Sequence, residues 1–486
     1  LVRYAKDKGK DKNELEKKMP RVGEAPFDSI RKMMSTVHKA DNQFIQYTKG
    51  APDEILKKCT LMLTDQGEIP MTDELRNKIM AENKRMAGKA LRVLAASLRH
   101  WDAKPEDTSP EDLEKDLTFI GLTGMIDPVR PEVKAAIEKC RRAGIRPIMI
   151  TGDHRDTAVA IAEELGIIAD ESQAITGSEL SKMSDDEFNA NVGKYSVYAR
   201  VQPEHKVRIV NAWKQRGRIT AMTGDGVNDA PALKSADIGV GMGITGTDVS
   251  KNVSDMVQAG DNFASIVSAV EEGRRIYDNI RKSIQFLLSS NLSEVVALFG
   301  ATLINVQLFS PVHILMINLI TDAFPAIALG MEEGEKDIME KPPRDPKEGI
   351  FSGGMGIRVI YQGIVIAILT LISYFIGNDQ SHITGMTMAF MTLSLCEIFH
   401  SINLRSCTRS IFTLGSHNRY LFLAMLASFV LTLGVIYIPG LNGVFELTPL
   451  PAGDLLTAIG LSVAIIPIVE IEKAILKATR KKAAVK

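Results

Sequence analysis

The sequence predicts a multidomain chain: an amino-terminal α+β region, an α/β domain on a mainly parallel sheet, and an α-helical bundle of six transmembrane helices. Three observations carry this reading. Apolar strand candidates alternate with amphipathic helical stretches between about residues 117 and 275; six apolar spans follow residue 276; and residues 1–116 mix a Lys-rich opening with strand-like segments. The composition, 45% hydrophobic and 24% charged over 486 residues, averages a charged half up to about Tyr277 and an apolar half beyond it. The expected domains are therefore 1–116, 117–275 and 276–486.

The opening Lys-rich stretch reads as a solvated edge. After it come Pro26 to Ser35 and a strand from Phe44 to Thr48, ending in Lys49-Gly50-Ala51. In the second region the strand candidates are Leu117 to Ile126, Arg146 to Ile150, Tyr195 to Val201, Ile219 to Thr223 and Ile238 to Val240. Their alternation with helices predicts a mainly parallel sheet covered on both faces. The spans run approximately Ile284 to Ile304, Pro311 to Leu329, Ile357 to Ile376, Met386 to Ile402, Tyr420 to Ile438 and Leu455 to Ile475. Each suits a bilayer core that takes about twenty helical residues. Arg274, Arg275, Arg281 and Lys282 precede the first span, Lys336, Lys341, Arg344 and Lys347 follow the second, and Arg405, Arg409 and Arg419 follow the fourth. This places the soluble half on the cytoplasmic side.

The formal net charge of -1 gives no basis for nucleic-acid binding. Cys59, Cys140, Cys396 and Cys407 form no close pair, which argues for a reducing interior and against a disulfide framework or thiolate metal site.

The run Thr223-Gly224-Asp225-Gly226-Val227-Asn228-Asp229-Ala230-Pro231 sets two carboxylates in a Gly-rich turn after an apolar strand. Open α/β sheets bind ligands at the carboxyl ends of their strands, and Mg2+ takes hard oxygen donors such as carboxylates, phosphate and water. Alone, a Gly-Asp turn is an ordinary structural turn. It is not alone: another strand ends in Thr151-Gly152-Asp153, and Lys206 lies early in a helix after Arg200-Val201-Gln202-Pro203. A lysine there can act as a point charge on a phosphoryl oxygen.

In the order Thr-Gly-Asp, then Lys, then Gly-Asp-Gly-Val-Asn-Asp, these elements resemble the haloacid dehalogenase type of phosphotransferase core. The full nonapeptide, Asp127-Pro128-Val129-Arg130-Pro131 and Lys49-Gly50-Ala51 resemble the P-type cation-transporting ATPases, over nearly the whole chain. The resemblance implies a partial nucleotide-binding domain in which Phe27 stacks the adenine, Lys49 lies near the base and Arg92 meets the phosphate tail. Taken alone, Phe27 reads as a core residue. It also implies that Arg200 binds nucleotide, that Asp127 and Arg130 link the phosphorylation site to the nucleotide domain, that Asp225 holds Mg2+, that Thr151, Gly152 and Lys206 steady the phosphoryl group with Asp153 a further catalytic residue, and that Asn228 and Asp229 support the site.

Thr245-Gly246-Thr247-Asp248-Val249, Lys251 and Asp255 follow the same pattern. Gln258-Ala259-Gly260-Asp261 departs from it, since relatives usually carry another acid near Gly260, so the local contacts there are open. The family's phosphorylated aspartate sits in Asp-Lys-Thr-Gly-Thr, a run absent between Leu1 and Lys486. The expectation is the carboxyl-terminal part of a pump, whose missing amino-terminal half carries the nucleophile, the actuator domain and four further membrane helices.

In the membrane half, Asn291 and Glu294 lie one turn apart on the first span, Asn318, Thr321 and Asp322 share a face of the second, and Glu397 sits inside the fourth. Each ionised carboxylate at mid-bilayer costs roughly 2.5–3.5 kcal/mol, so three call for about 8–10 kcal/mol of compensation. Protonated side chains hydrogen-bonded between helices are one solution and a bound cation is the other. Oxygen donors without a Cys or His cluster suit Ca2+, and Pro325 can free carbonyls to join the site. Asn318-Leu319-Ile320-Thr321-Asp322 resembles calcium pumps, as do Glu294 and Glu397, which leaves a two-ion site open. His313 reads as an interfacial residue rather than a ligand.

The resulting expectation is a type II calcium pump using ATP and Mg2+, multi-pass, in the cell membrane rather than an organelle. The first span, continuous from the phosphorylation core, is the expected coupling rod to Glu294. The rivals are a Na+ or Mn2+ pump, a non-catalytic membrane fragment or interaction subunit, and a soluble phosphatase, which leaves the six spans unexplained.

Overall fold

Alternating side chains in the first 125 residues build one mixed sheet of seven strands, β1 (Arg21–Asp28), β2 (Met33–Ala40), β3 (Gln43–Gly50), β4 (Cys59–Thr64), β5 (Gly67–Pro70), β6 (Arg92–Trp101) and β7 (Leu117–Met125), in the order β1-β2-β3-β6-β7-β4-β5. The computed structural model describes residues 2–41, 43–88, 91–125, 130–415 and 417–484. Met33, Ile55, Leu56, Cys59, Ala95, Leu117 and Phe119 form the core of this sheet and its helices. Four buried polar side chains on its inner face satisfy one another: Ser35 and Thr48 share a hydrogen bond of 2.8 Å, Gln46 donates to Thr48 (3.0 Å) and to the Leu113 carbonyl (2.7 Å), and Ser97 donates to the Thr48 carbonyl (3.3 Å).

The sequence placed Leu117 to Ile126 in the second, parallel sheet, and the structure corrects this. β7 is antiparallel to β6 and parallel to β4, with Leu117 opposite Cys59 and Arg92 opposite Met125. An apolar run of this length fits either sheet. Its partners are decided by Leu117 and Phe119 packing on Ile55 and Cys59.

The expected single parallel sheet is two. β8 (Met149–Ile150), β9 (Ala174–Thr176) and β10 (Val197–Ala199) pair in the order β8-β10-β9, and β11 (Ala221–Gly224), β12 (Ile238–Met242) and β13 (Met256–Gln258) in the order β11-β12-β13, all parallel. β8 is shorter than the Arg146 to Ile150 expected, because Pro147 has no N–H to donate to the ladder. The two sheets share no strand pairing, yet Ile150 of β8 packs into the cluster of Val210, Met222 and Leu233.

All six expected spans are helices: Phe263–Leu303, Pro311–Gly330, Met355–Asn378, His382–Asn403, Arg419–Tyr437 and Ala452–Thr479. The first is one helix of 41 residues, about 60 Å at 1.5 Å per residue. The fourth is the buried centre of the bundle, with every residue from Gly385 to Ile398 inside. It lies close against the third at Gly385, where a Cβ would come within 2.9 Å of the Tyr374 carbonyl.

By contacts the chain divides into two compact units, Leu1–Arg141 with Ile145–Ser265, and Arg142–Gly144 with Ile266–Lys486.

Candidate functional site

Two exposed turns stand at the carboxyl ends of parallel strands in the first unit. At the end of β11, Asp229 is buried, and its Oδ2 accepts the N–H groups of Asp225 (3.2 Å) and Gly226 (3.1 Å) while Oδ1 receives the Lys206 ammonium at 2.5 Å. Burial raises the Asp229 carboxyl, and Lys206 with the two N–H donors outweighs it, so the net shift is downward and the group is ionised. Gly224 is required here: a Cβ would sit 2.5 Å from that of Asp229. Asp225 and Asn228 are exposed, and the Asp225 carboxylate carries no hydrogen bond among the described residues. The Asp225 carbonyl is held instead, by Thr247 N–H (2.8 Å) and Ser250 Oγ (3.1 Å).

At the end of β8, Thr151 Oγ1 donates to Asp153 Oδ2 (2.9 Å) and accepts the Asp153 N–H (3.1 Å), leaving Gly152 open to solvent. Asp225, with unused carboxylate oxygens on a rigid turn, fits a hard cation such as Mg2+.

Three of the expected nucleotide residues, Phe27, Lys49 and Arg92, lie on strands of the seven-stranded sheet. Lys49 pairs with Ala96, and Arg92 lies an even number of residues before Ala96 on β6, so both project from the same face, where both are exposed. Phe27, at the end of β1, is 63% exposed, which removes its reading as a core residue. Arg200, in a left-handed conformation at φ 50°, reaches Asp53 at 3.4 Å. Burial raises the Asp53 carboxyl and Arg200 lowers it further, to a net downward shift. Asp53 was not singled out in the sequence; its signal is the acidic first turn of the helix Pro52–Lys58, directly after Lys49-Gly50-Ala51. A cleft of about 510 Å3 beside it carries Lys32, His154, Arg155 and Arg200. Burial and Arg200 hold the His154 imidazole below its usual range, so it is neutral at pH 7.

Asp127 lies outside the described residues. Arg130 donates to the Asp261 carbonyl at 2.8 Å. The departure at Gly260-Asp261 is resolved by Asp261, whose carboxylate accepts the N–H groups of Ile244 (3.0 Å) and Thr245 (2.7 Å) and so fixes the loop leading to Thr247. Burial raises this carboxyl, and the backbone donors lower it to about 2. The stabilisation from Asp261 is therefore complete above its ordinary value of 3.8 and is lost as pH falls toward about 2. Asp261→Asn is expected to lower the melting temperature at pH 6, with about half of that deficit left near pH 3; a deficit independent of pH contradicts the assignment.

In the second unit, Glu294, Asp322 and Glu397 are 5%, 1% and 0% exposed. Asn318 Nδ2 donates to both oxygens of Glu294 (2.9 and 3.0 Å), and Thr321 Oγ1 donates to the Ile317 carbonyl (2.7 Å) with Glu397 Oε2 at 3.5 Å. Among the described residues, both oxygens of Asp322, Oε1 of Glu397 and the Ser290 hydroxyl meet no donor or acceptor at hydrogen-bond geometry, although Asp322 lies near Glu397 and Ser290. Ile317–Asp322 is a π-helical turn just before Pro325, a distortion that displaces carbonyls from the regular ladder. Ser428 of the fifth span donates to the Ile320 carbonyl there (3.2 Å).

Asn291 is not gathered into this cluster: it is exposed, with its amide on the Leu287 carbonyl (2.9 Å). His313 is buried rather than interfacial, with one ring nitrogen receiving Ser310 N–H and the other bonded to the Phe445 carbonyl, which rules it out as a free ligand. Among the described residues no three His, Cys, Asp or Glu side chains form a ready-made cage for a metal, so amide, hydroxyl and carbonyl oxygens must complete any cation shell.

Two family profiles match the chain: "P-type ATPase, cytoplasmic domain N" over residues 1–132 and "Cation transporting ATPase, C-terminus" over residues 306–475. Calcium-transporting ATPase 1 of Bacillus cereus is 46% identical over 91% of this chain and 52% of its own length. The calcium-transporting ATPase of Bacillus subtilis is 43% identical over 95% and 52%, and human calcium-transporting ATPase type 2C member 1 is 37% identical over 95% and 50%. The chain spans about half the length of the curated relatives it matches.

Proposed function

This chain belongs to the P-type cation-transporting ATPases, and we propose that the pump of which it is the carboxyl-terminal part moves Ca2+ across a membrane, driven by ATP through an aspartyl-phosphate. It is a multi-pass integral membrane protein with cytoplasmic domains; we assign the pump to the cell membrane. The observation that carries the ion reading is the set of oxygens on Asp322 and Glu397 that meet no donor at hydrogen-bond geometry among the described residues, buried beside Glu294 and the donors of Asn318 and Thr321. Ionised, these groups require a cation, and the donor set is all hard oxygen. Asn291 becomes the additional donor where the amino-terminal half of the pump packs on its exposed face.

In the first unit, Phe27, Lys49, Arg92 and Arg200 hold the nucleotide. Thr151, Gly152 and Asp153 position the phosphoryl group at the end of β8, while Lys206, locked by Asp229, presents a fixed positive charge. Arg130 secures the Asp261 loop, with Asp127 joining the link to the nucleotide domain and Asn228 supporting the turn. Mg2+ held by Asp225 supplies neutralisation of the phosphoryl charge. The acceptor aspartate belongs to the Asp-Lys-Thr-Gly-Thr segment these 486 residues lack. The unbroken helix Phe263–Leu303, which carries Glu294, supports a direct mechanical link between phosphorylation and cation affinity.

Asp225→Ala in the complete pump is expected to reduce Mg2+-dependent phosphorylation by roughly 100-fold or more while leaving Ca2+ binding within about twofold; loss of Ca2+ binding contradicts its assignment. Radiotracer uptake into vesicles with competing Na+ and Mn2+ tests the ion. Ca2+ uptake resisting both supports the reading, and preferential uptake of either competitor replaces it.

A further inference from the structure

The second unit contains a cavity of about 960 Å3, within the roughly 300–1,000 Å3 range of ligand clefts, that none of the transport residues touches. One wall is the segment Cys407 to Thr413 after the fourth span; the other is the end of the sixth, from Ile466 to Lys477. Its polarity is layered. The basic groups are Arg358, Arg409, Lys473 and Lys477, against two acids, Asp337 and Glu470.

Lys473 is buried and consumed, donating to Glu470 (2.7 Å) and to the Asn403 carbonyl (2.8 Å). Arg409 reaches Asp337 only at 3.7 Å and shares it with Lys341 at 3.5 Å. Arg358 donates to the Gln285 side chain and the Gly353 carbonyl, and neither it nor Lys477 has an ion pair among the described residues. The cavity is thus left with an excess of positive charge. The apolar part is Pro467, Ile471 and Phe412, the last two 60% and 81% exposed, a surface that water covers poorly and acyl chains cover well.

A cationic rim and an apolar wall at the positively charged ends of membrane helices match one chemistry. We propose that this cavity binds an anionic phospholipid, its phosphate between Arg409, Arg358 and Lys477 and its acyl chains along Phe412 and Ile471. The inference rests on the membrane bundle and not on the identity of the transported ion.

The test uses this chain purified in detergent and titrated with short-chain phosphatidylglycerol, the same chain length of phosphatidylcholine, and glycerol 3-phosphate, with binding read by native mass spectrometry. Phosphatidylglycerol is expected to bind, phosphatidylcholine and glycerol 3-phosphate much less. Arg409→Gln with Lys477→Gln is expected to weaken phosphatidylglycerol by roughly fivefold for each cation removed, while Lys17→Gln with Lys18→Gln, removing equal charge from the first unit, leaves it unchanged. Lys17, Lys18 and Lys477 are exposed and Arg409 is half-buried, so the substitutions leave the core intact, and the melting temperature without lipid checks this. Equal binding of the two lipids, equal loss in both double variants, or glycerol 3-phosphate binding as tightly as phosphatidylglycerol overturns the proposal; the last outcome assigns the cavity to a soluble phosphate compound.

Discussion

Asp322→Asn in the complete pump is expected to abolish Ca2+-activated phosphorylation at any concentration that saturates the unaltered protein. Asp322 is 1% exposed on the second span, one residue after Thr321 and at the end of the π-helical turn, and neither carboxylate oxygen meets a donor at hydrogen-bond geometry among the described residues. A cation bound there has exchanged its water for protein oxygens, and Asp322 is the one full charge the second span offers it. Removing one member of a buried charge pair costs about 3–5 kcal/mol, roughly 100-fold to 1,000-fold or more in affinity. The measurement is the Ca2+ dependence of phosphoenzyme formation. A normal level at unchanged Ca2+ affinity removes Asp322 from the site and favours a neutral, protonated cluster at these positions.

The largest stability effect is expected at a pair that no sequence motif announces. Arg405, after the fourth span, makes a two-pronged contact with Glu332, after the second: Nη2 to Oε1 at 2.9 Å, and Nε to Oε1 and Oε2 at 3.1 and 3.3 Å. Both residues are buried, at 6% and 3% exposure. Asn418, which caps the fifth span, donates to Glu332 Oε2 (2.8 Å) and to the Ala328 carbonyl (2.9 Å), and Asn279 of the first span donates to the Glu332 carbonyl (2.7 Å).

The Glu332 carboxylate therefore ties the end of the second span to the fourth and fifth, and its backbone carbonyl ties in the first, so this one residue joins four helices, three of which carry Glu294, Asp322 and Glu397. Arg405→Met leaves Glu332 buried and uncompensated, a loss of about 3–5 kcal/mol, or roughly 6–20 °C in melting temperature for a unit of this size. Arg405→Met combined with Glu332→Met removes both charges and is expected to recover much of the loss. Additive losses in the pair show that the contact does not hold the bundle together.

The membrane bundle was legible because about twenty apolar residues in a row leave the backbone one solution, a helix that satisfies its own hydrogen bonds. The two turns at the ends of β8 and β11 were legible because glycine and aspartate spacing constrains geometry locally; Gly224 lies against Asp229, only five positions along the chain. What was missed depends on distant partners. The membership of β7 in the first sheet is decided by Leu117 and Phe119 meeting Ile55 and Cys59, about sixty residues earlier. The separation of the second sheet into two follows from which strands find neighbours, which strand periodicity does not encode.

The turn at Ile317–Asp322 is π-helical rather than simply opened by Pro325, and the Ser428 hydroxyl that meets its Ile320 carbonyl lies on another span. His313 looked interfacial from its place at a span end, yet it is buried because Ser310 and Phe445 occupy its two nitrogens.

The most direct test of the central claim is Ca2+-dependent, acid-stable phosphorylation from labelled ATP in membranes containing the full-length pump, run beside this 486-residue chain. Label in the full-length protein that requires Ca2+, with none in the chain itself, is the predicted result. Label in the isolated chain contradicts the placement of the acceptor aspartate outside these residues, and a well-folded full-length protein that takes up no label at any Ca2+ concentration contradicts the assignment of Ca2+ as the transported ion.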